Sequence, residues 1–223
     1  MSRILAYCGF IEATNVLSPS IGVSNAPVQM LGGDRLRLLW SEVEWPFDPK
    51  QLQKHALEFH GVVHEIFRQT AVVPFRLLSI FDDLKALQAF AGEHSAAFVA
   101  DLERLRDYVQ MEAVVYVIAE RAPADASSGR AYLERKAGAQ RLAGEHATAL
   151  EAVLRPVSHE MRVRQVKNGS RIFALVRRGD EERFRRTVES VRLPDAVSRR
   201  VSGPWPASEF LSESVKAPQV GRK

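Results

Sequence analysis

Two stretches in the second half of the chain leave the fewest choices. Residues 111–119 form a nearly continuous apolar run with β-branched side chains, and residues 172–176 form a second, wholly apolar one. Runs this short and this apolar read as strands buried on both faces. Between them lies a long helical stripe, Tyr132, Ala139, Leu142, His146, Leu150 and Val153, with Pro156 just beyond its end. Met161 and Val163 then alternate with Arg162 and Arg164, and Asn168-Gly169 signals a two-residue hairpin turn. Asp180 is placed to cap a helix with Phe184, Val188 and Val191 on one face, and Val197 and Val201 alternate with arginine in a last strand. The order is β-α-β-β-α-β, the ferredoxin-like split arrangement. In that arrangement the first and third strands are central, and here those are the two most apolar.

The first half is mixed. Residues 4–11 read as an apolar, partly aromatic strand, and Leu36, Leu38 and Trp40 suit a half-buried one. Residues 12–33, rich in Pro and Gly, read as loop with a short strand at 28–31. Asp48 as N-cap, Pro49 at the first helical position and Gln51 at the third make a capping box, with Phe47 and Leu52 as a hydrophobic staple. Leu52, Ala56, Phe59, Val63, Ile66 and Phe67 continue at helical spacing. Residues 72–81 contain Pro74 and read as an edge strand or extended segment. Asp82 is expected to cap a short helix ending near Gly92, followed by a second helix to about Tyr108. The expected fold is α+β in two domains. Residues 1–108 form an N-terminal α+β domain and 109–203 a ferredoxin-like one, and 204–223 are a C-terminal tail that carries the Gly203-Pro204-Trp205-Pro206 motif.

Composition narrows the class. The chain has 223 residues, 46% hydrophobic and 26% charged, enough apolar material for a real core and against wholesale disorder. No uncharged apolar run approaches the ~18–20 residues that span a bilayer. The N-terminal stretch lacks a cleavage signature and reads as a strand rather than a signal peptide. Cys8 is the single cysteine, so no intrachain disulfide forms, which suits a reducing cytoplasm. Residues 1–154 carry 15 basic and 19 acidic side chains, whereas residues 155–200 carry 13 basic, twelve of them arginine, and 6 acidic. Such a basic stretch is either a solvated surface or a means of attracting an acidic partner, a nucleic acid or an anionic membrane surface.

Candidate chemistry is sparse. His60 and His64 share a helix face with Glu65 adjacent, as a zinc site wants, but Gly61 stands where a zinc protease has its glutamate and no third ligand is near. Cys8 sits mid-strand beside Gly9, the place of a small buried residue. No nucleophile elbow and no phosphate-binding glycine loop occurs. Glu112 is expected at an exposed strand mouth. RNA-binding ferredoxin-like modules carry aromatics on the central strands within a Lys/Arg-Gly-Phe type motif, whereas Arg171-Ile172-Phe173-Ala174-Leu175 has one aromatic and no such motif. No catalytic residue, metal ligand or cofactor is expected.

Four patterns, in order, resemble the gas vesicle protein F/L family (GvpF/GvpL). The chain opens with Leu5-Ala6-Tyr7-Cys8-Gly9-Phe10-Ile11, similar to the family's aromatic first strand. His60 with Val62-Val63 precedes Val73-Pro74-Phe75-Arg76-Leu77-Leu78-Ser79-Ile80-Phe81, which looks like the family's Leu-Pro-x-Arg-Phe-Gly-Thr-x-Phe segment, with Leu77-Leu78 in place of Phe-Gly. Met111-Glu112 opens a strand, and Tyr132-Leu133 with Arg135-Lys136 opens the long helix. Ser202-Gly203-Pro204-Trp205-Pro206 with Phe210 is similar to the family's closing Gly-Pro-Trp-Pro-Pro-Tyr-x-Phe, with Ala207-Ser208 in place of Pro-Tyr.

The resemblance implies two α+β domains, the second ferredoxin-like, and a non-enzymatic accessory protein of gas vesicle formation. It implies cytoplasmic residence at gas vesicles and, as partners, the hydrophobic major shell protein and other gas vesicle accessory proteins, without nucleic acid and without an integral membrane segment. An assembly factor for such a subunit covers apolar surface or unpaired strand edges. Phe75, Arg76 and Phe81 on the Pro74 segment, and Trp205 and Phe210 at the close, are the candidate partner-binding residues; the competing readings are Phe75 and Phe81 in the N-terminal core, Trp205 folded back across the domain junction and Arg76 paired with an internal acidic residue. The alternative function is a ferredoxin-like regulatory or nucleic-acid-binding module.

Overall fold

Strands and helices alternate through both halves of the chain. The computed structural model describes residues 1–11, 16–32, 35–118, 129–166, 169–213 and 215, and of residues 129–136, 139 and 140 the backbone alone. The loop expected at 122–129 lies largely outside the described residues, as do Asn168, Lys216, Arg222 and Lys223, and as do the side chains of Tyr132 and Ala139. The chain divides into two units, Met1–Asp107 with Pro206–Lys223, and Tyr108–Trp205.

Unit 1 holds β1 (Ser2–Ile11), β2 (Gln29–Gly32), β3 (Leu36–Glu44), α1 (Leu52–Phe67), the two-residue strands β4 (Val73–Pro74) and β5 (Ile80–Phe81), and α2 (Leu84–Leu105). The sheet is antiparallel, in the order β2-β3-β1-β4, with β5 also on β1. β1 is buried from Ile4 to Phe10 because it is central and touches both helices. Tyr7 packs on Phe59 of α1 at 5.3 Å between ring centroids, and the backbone at Gly9 comes up against Phe98 of α2.

The helix starts differ in part from the sequence reading. The Asp48 carboxylate accepts from the Lys50 amide at 2.9 Å, but the turn it caps, Pro49–Gln51, is a 3-10 turn that leads into α1. Phe47 packs at a tilt against the buried ring of His55, with centroids 4.7 Å apart. The two helices expected between 82 and 108 are one helix, α2, capped by Asp83, whose carboxylate accepts from the Ala86 amide at 2.8 Å. Gly92 does not break it. Leu87, Phe90, Phe98, Leu102 and Leu105 are buried along α2, and this packing outweighs the ~1 kcal/mol propensity deficit of one glycine.

Unit 2 holds β6 (Tyr108–Val117), α3 (Gly129–Leu154), β7 (Glu160–Val166), β8 (Gly169–Arg177), α4 (Glu181–Ser190) and β9 (Val197–Trp205). Its four-stranded antiparallel sheet has the order β7-β8-β6-β9. The most apolar strands, β6 and β8, are the inner pair. Strand alternation gives the sheet two unlike faces. Val109, Met111, Ala113 and Val115 of β6 pair with Val176, Ala174, Ile172 and Ser170 of β8, all of them buried. Against this face pack α3 and α4, with Ala143, Ala147, Leu150, Leu154, Phe184 and Val188 buried. The α3 stripe is therefore rotated from the expected one, since Val153 is 45% exposed and Leu154 is buried.

Two local expectations need correction. Gly169 is not a turn residue but the first residue of β8, paired with Val166. A Cβ there would lie 2.0 Å from the Val115 carbonyl oxygen, so glycine is required by the close approach of β6. Asp180 precedes α4 without a side-chain cap, and the Glu181 carboxylate accepts from the Gly179 amide at 2.9 Å instead.

Candidate functional site

The Pro74 segment runs along the side of β1 opposite β3, with ladder pairing at its two ends. Cys8 and Gly9 face β4, and Ile4 and Leu5 face β5. In between, the Phe75 amide donates to the Tyr7 carbonyl at 2.8 Å and the Ala6 amide donates to the Ser79 carbonyl at 3.1 Å. Tyr7 and Ala6 are neighbours, so Arg76, Leu77 and Leu78 form a protruding turn, closed by the Ser79 amide donating to the Arg76 carbonyl at 2.9 Å. Pro74 has no amide hydrogen to donate, which suits an edge.

Phe75 and Phe81, both candidate partner-binding residues, are inside. They are 5% and 7% exposed, in one ring cluster with Phe90 and Phe98 whose nearest centroids lie 5.4 Å apart. Arg76 is exposed and has no ion pair among the described residues, and Leu78 is 47% exposed. The segment therefore anchors itself by two phenylalanines and offers a cation and a leucine outward.

The closing motif is split by the fold. Gly203, Pro204 and Trp205 continue β9, with Trp205 opposite Gln110 of β6. Gly203 has φ 113°, and a Cβ on it would lie 2.8 Å from the Gln110 carbonyl oxygen, so only glycine fits. Arg185 of α4 donates to the Gly203 carbonyl. Trp205 is 45% exposed, its indole N–H 3.4 Å from the Ser202 hydroxyl.

Residues 206–213 belong to unit 1 rather than to a free tail. Ala207, Phe210 and Leu211 are buried, Phe210 at 1% exposure. Asp101 of α2, itself 4% exposed, accepts from the Ser212 amide at 2.7 Å and the Ser212 hydroxyl at 2.8 Å. Arg104 bonds Asp101 at 2.9 Å and donates to the Phe210 carbonyl at 2.6 Å. This latch joins residues 111 positions apart, and no local motif announces it.

The remaining candidates fall out as follows. His60 and His64 are exposed on α1, and no group of three His, Cys, Asp or Glu that could hold a metal ion occurs among the described residues. Cys8 is fully buried and burial pushes its thiol up to about 12. Glu112 is not at a strand mouth but in the middle of β6, half-buried and 3.1 Å from the Arg171 guanidinium. Burial pushes the Glu58 carboxyl up, but the Ser24 amide, His55 and Lys54 outweigh that and hold it below its usual range. Among the described residues no helix is long and apolar enough to cross a membrane.

The family described as gas vesicle synthesis protein GvpL/GvpF matches residues 4–212. The crystal structure of the gas vesicle protein GvpF from Anabaena sp. PCC7120 is similar to this chain, with a TM-score of 0.74 at 11% identity over 94% of this chain and 96% of that one. The crystal structure of gas vesicle protein GvpF from Microcystis aeruginosa is similar too, with a TM-score of 0.70 at 13% identity over 93% of this chain and 98% of that one. No curated protein matches the chain.

Proposed function

Because the chain belongs to the gas vesicle synthesis protein GvpL/GvpF family, with a role in gas vesicle formation, we propose that it binds the hydrophobic shell protein and assists nucleation or assembly of the shell. The observation that carries this reading is the Arg76-Leu77-Leu78 turn, which offers an exposed apolar side chain beside an exposed cation on the segment that borders β1. Such a turn is suited to meet an apolar segment of a partner. Trp205 is a second contact, since a half-exposed tryptophan is a common interface anchor. Phe75, Phe81 and Phe210 act from below, by holding the turn and the closing segment in place. Nothing in the reading requires catalysis, and the protein works in the cytoplasm at gas vesicles.

We read unit 2 as ferredoxin-like. The chain order β6-α3-β7-β8-α4-β9 with the strand order β7-β8-β6-β9 supports that reading. The division into two units supports a two-domain organisation.

Co-purification with the gas vesicle shell protein tests the function. The expected result is specific retention by the unaltered chain and loss of most of it in Arg76→Ala/Leu78→Ala and in Trp205→Ala, each checked for folding by circular dichroism. No retention by the unaltered chain, at low or high salt, would overturn the shell-binding role.

A further inference from the structure

Residues 206–213 sit on α2 the way a bound peptide sits on its receptor. Among the described residues they add no strand to either sheet. Their backbone closes on itself in a 3-10 turn, Ser208–Phe210. There the Ser208 amide donates to the Pro206 carbonyl at 2.7 Å and the Phe210 amide to the Ala207 carbonyl at 3.0 Å. Ala207, Phe210 and Leu211 supply the apolar anchors, all of them buried. Asp101 and Arg104, three residues apart on α2, hold the backbone beside those anchors. Arg104 donates to the Phe210 carbonyl, and Asp101 accepts from the Ser212 amide and hydroxyl. An aromatic and an aliphatic anchor, flanked by hydrogen bonds to the main chain, is how short peptide segments are recognised.

The site is incomplete when empty. Asp101 is 4% exposed, and a carboxylate taken out of water needs hydrogen-bond partners. Arg104 bonds it at 2.9 Å, and Ser212 supplies two further bonds. A segment with a hydroxyl residue two positions after an aromatic one meets that need, and Phe210-Leu211-Ser212 does so in place. Covalent connection fixes only loosely which molecule provides the segment. The path from residues 206–213 back to the rest of unit 1 runs through the whole of unit 2, Tyr108–Trp205, and Pro206 is the first residue after β9. The contacts on α2 are the same whether the segment comes from its own chain or from another. That is the condition for exchanging an element between identical chains.

We propose that the Asp101–Arg104 end of α2 is an acceptor site for the closing segment of a second copy of this chain, so that two chains pair by exchanging residues 206–213. The second copy is the favoured occupant because its segment is the sequence the site already fits. At low concentration the tethered segment fills its own site, since its effective concentration there exceeds that of any other chain. At high concentration, or when the tethered segment is weakened, the partner's segment takes its place. A reciprocal exchange closes at two chains and gives a dimer rather than a filament.

A fluorescein-labelled peptide spanning residues 206–213 is titrated against the full chain and followed by anisotropy. Phe210→Ala/Ser212→Ala in the full chain weakens the tethered segment and leaves Asp101 and Arg104 intact. This variant is expected to bind the peptide about tenfold more tightly than the unaltered chain, whose site is already filled. A peptide carrying the same two substitutions is expected to bind about tenfold more weakly than the natural one. If the double variant does not fold by circular dichroism, Ser212→Ala alone serves, with a several-fold gain expected. Light scattering follows the unaltered chain refolded from urea at low and at high concentration. A dimer that grows with concentration is expected, and excess peptide should convert it to monomer. Failure of the folded variant to take up the peptide, no dimer at high concentration, or a dimer that the peptide leaves intact overturns the proposal. Shell protein enters neither measurement, so failure here and failure of shell-protein retention are separate results.

Discussion

The Tyr7 hydroxyl lies inside the unit 1 core and is fully engaged. It donates to the Ser41 hydroxyl at 3.0 Å and accepts from the Val23 amide at 2.9 Å, and Ser41 in turn donates to the Pro27 carbonyl at 2.8 Å. Tyr7→Phe leaves a buried amide unpaired and is expected to cost about 1–3 kcal/mol in chemical denaturation. Its neighbour Cys8 links stability to alkaline pH. Burial raises the thiol from 9.0 to about 12, so below pH 9 both folded and unfolded chains keep the proton and stability does not depend on it. As pH rises from 9 to 12 only the unfolded chain releases the proton, and stability falls. Cys8→Ala should flatten part of that decline in urea midpoints measured between pH 8 and 11. What remains belongs in part to Tyr7, which burial also raises, against its hydrogen bonds to Ser41 and Val23. The burial of Cys8 was legible from its place beside Gly9 in an apolar run. The Asp101–Ser212 latch was not, because nothing local ties an aspartate on a helix to a serine 111 residues later.

At the scale of the element, hydrophobic period carried most of the reading and failed where packing overrode it. β6 and β8 were plain as strands because they are the most apolar of the four, but the expectation of burial on both faces fails: one face packs on the helices and the other carries Glu112, Tyr116 and Arg171. α1 was plain from the spacing of its apolar positions, although the aspartate and proline read as its start cap the 3-10 turn that leads into it. α2 was misjudged at Gly92, which lies in the middle of a 22-residue helix on its exposed side. A Cβ there would meet nothing within 4 Å, so Gly92→Ala is expected to stabilise unit 1 by about 0.5–1 kcal/mol, seen as a raised urea midpoint with an unchanged slope. The Pro74 segment was legible as an edge. Which of its residues face outward was not, since the Arg76-Leu77-Leu78 turn breaks the alternation that would have told Phe75 from Leu78. Gly203→Ala combines a φ of 113° with a close carbonyl and is expected to lower stability by about 1–3 kcal/mol, measured by thermal melting.

Over the whole molecule the fold class was readable and the path of the chain was not. A strand order such as β2-β3-β1-β4 follows from no periodicity, because it records which apolar surfaces meet rather than where they occur. Nor does any pattern say that residues 206–213 return to the first unit after the second is complete. Removing everything after residue 205 takes away the buried Phe210 and Leu211 and leaves Asp101 without Ser212. Such a truncation is expected to destabilise unit 1 by about 3 kcal/mol or more in denaturant titration. The same connectivity has a consequence during translation. The stretch that seals the unit 1 core leaves the ribosome only after unit 2 has been made, so unit 1 spends the whole synthesis of unit 2 with the docking site on α2 uncovered. A stall anywhere between residues 108 and 205 would leave a nascent chain with that apolar site open to whatever binds it first.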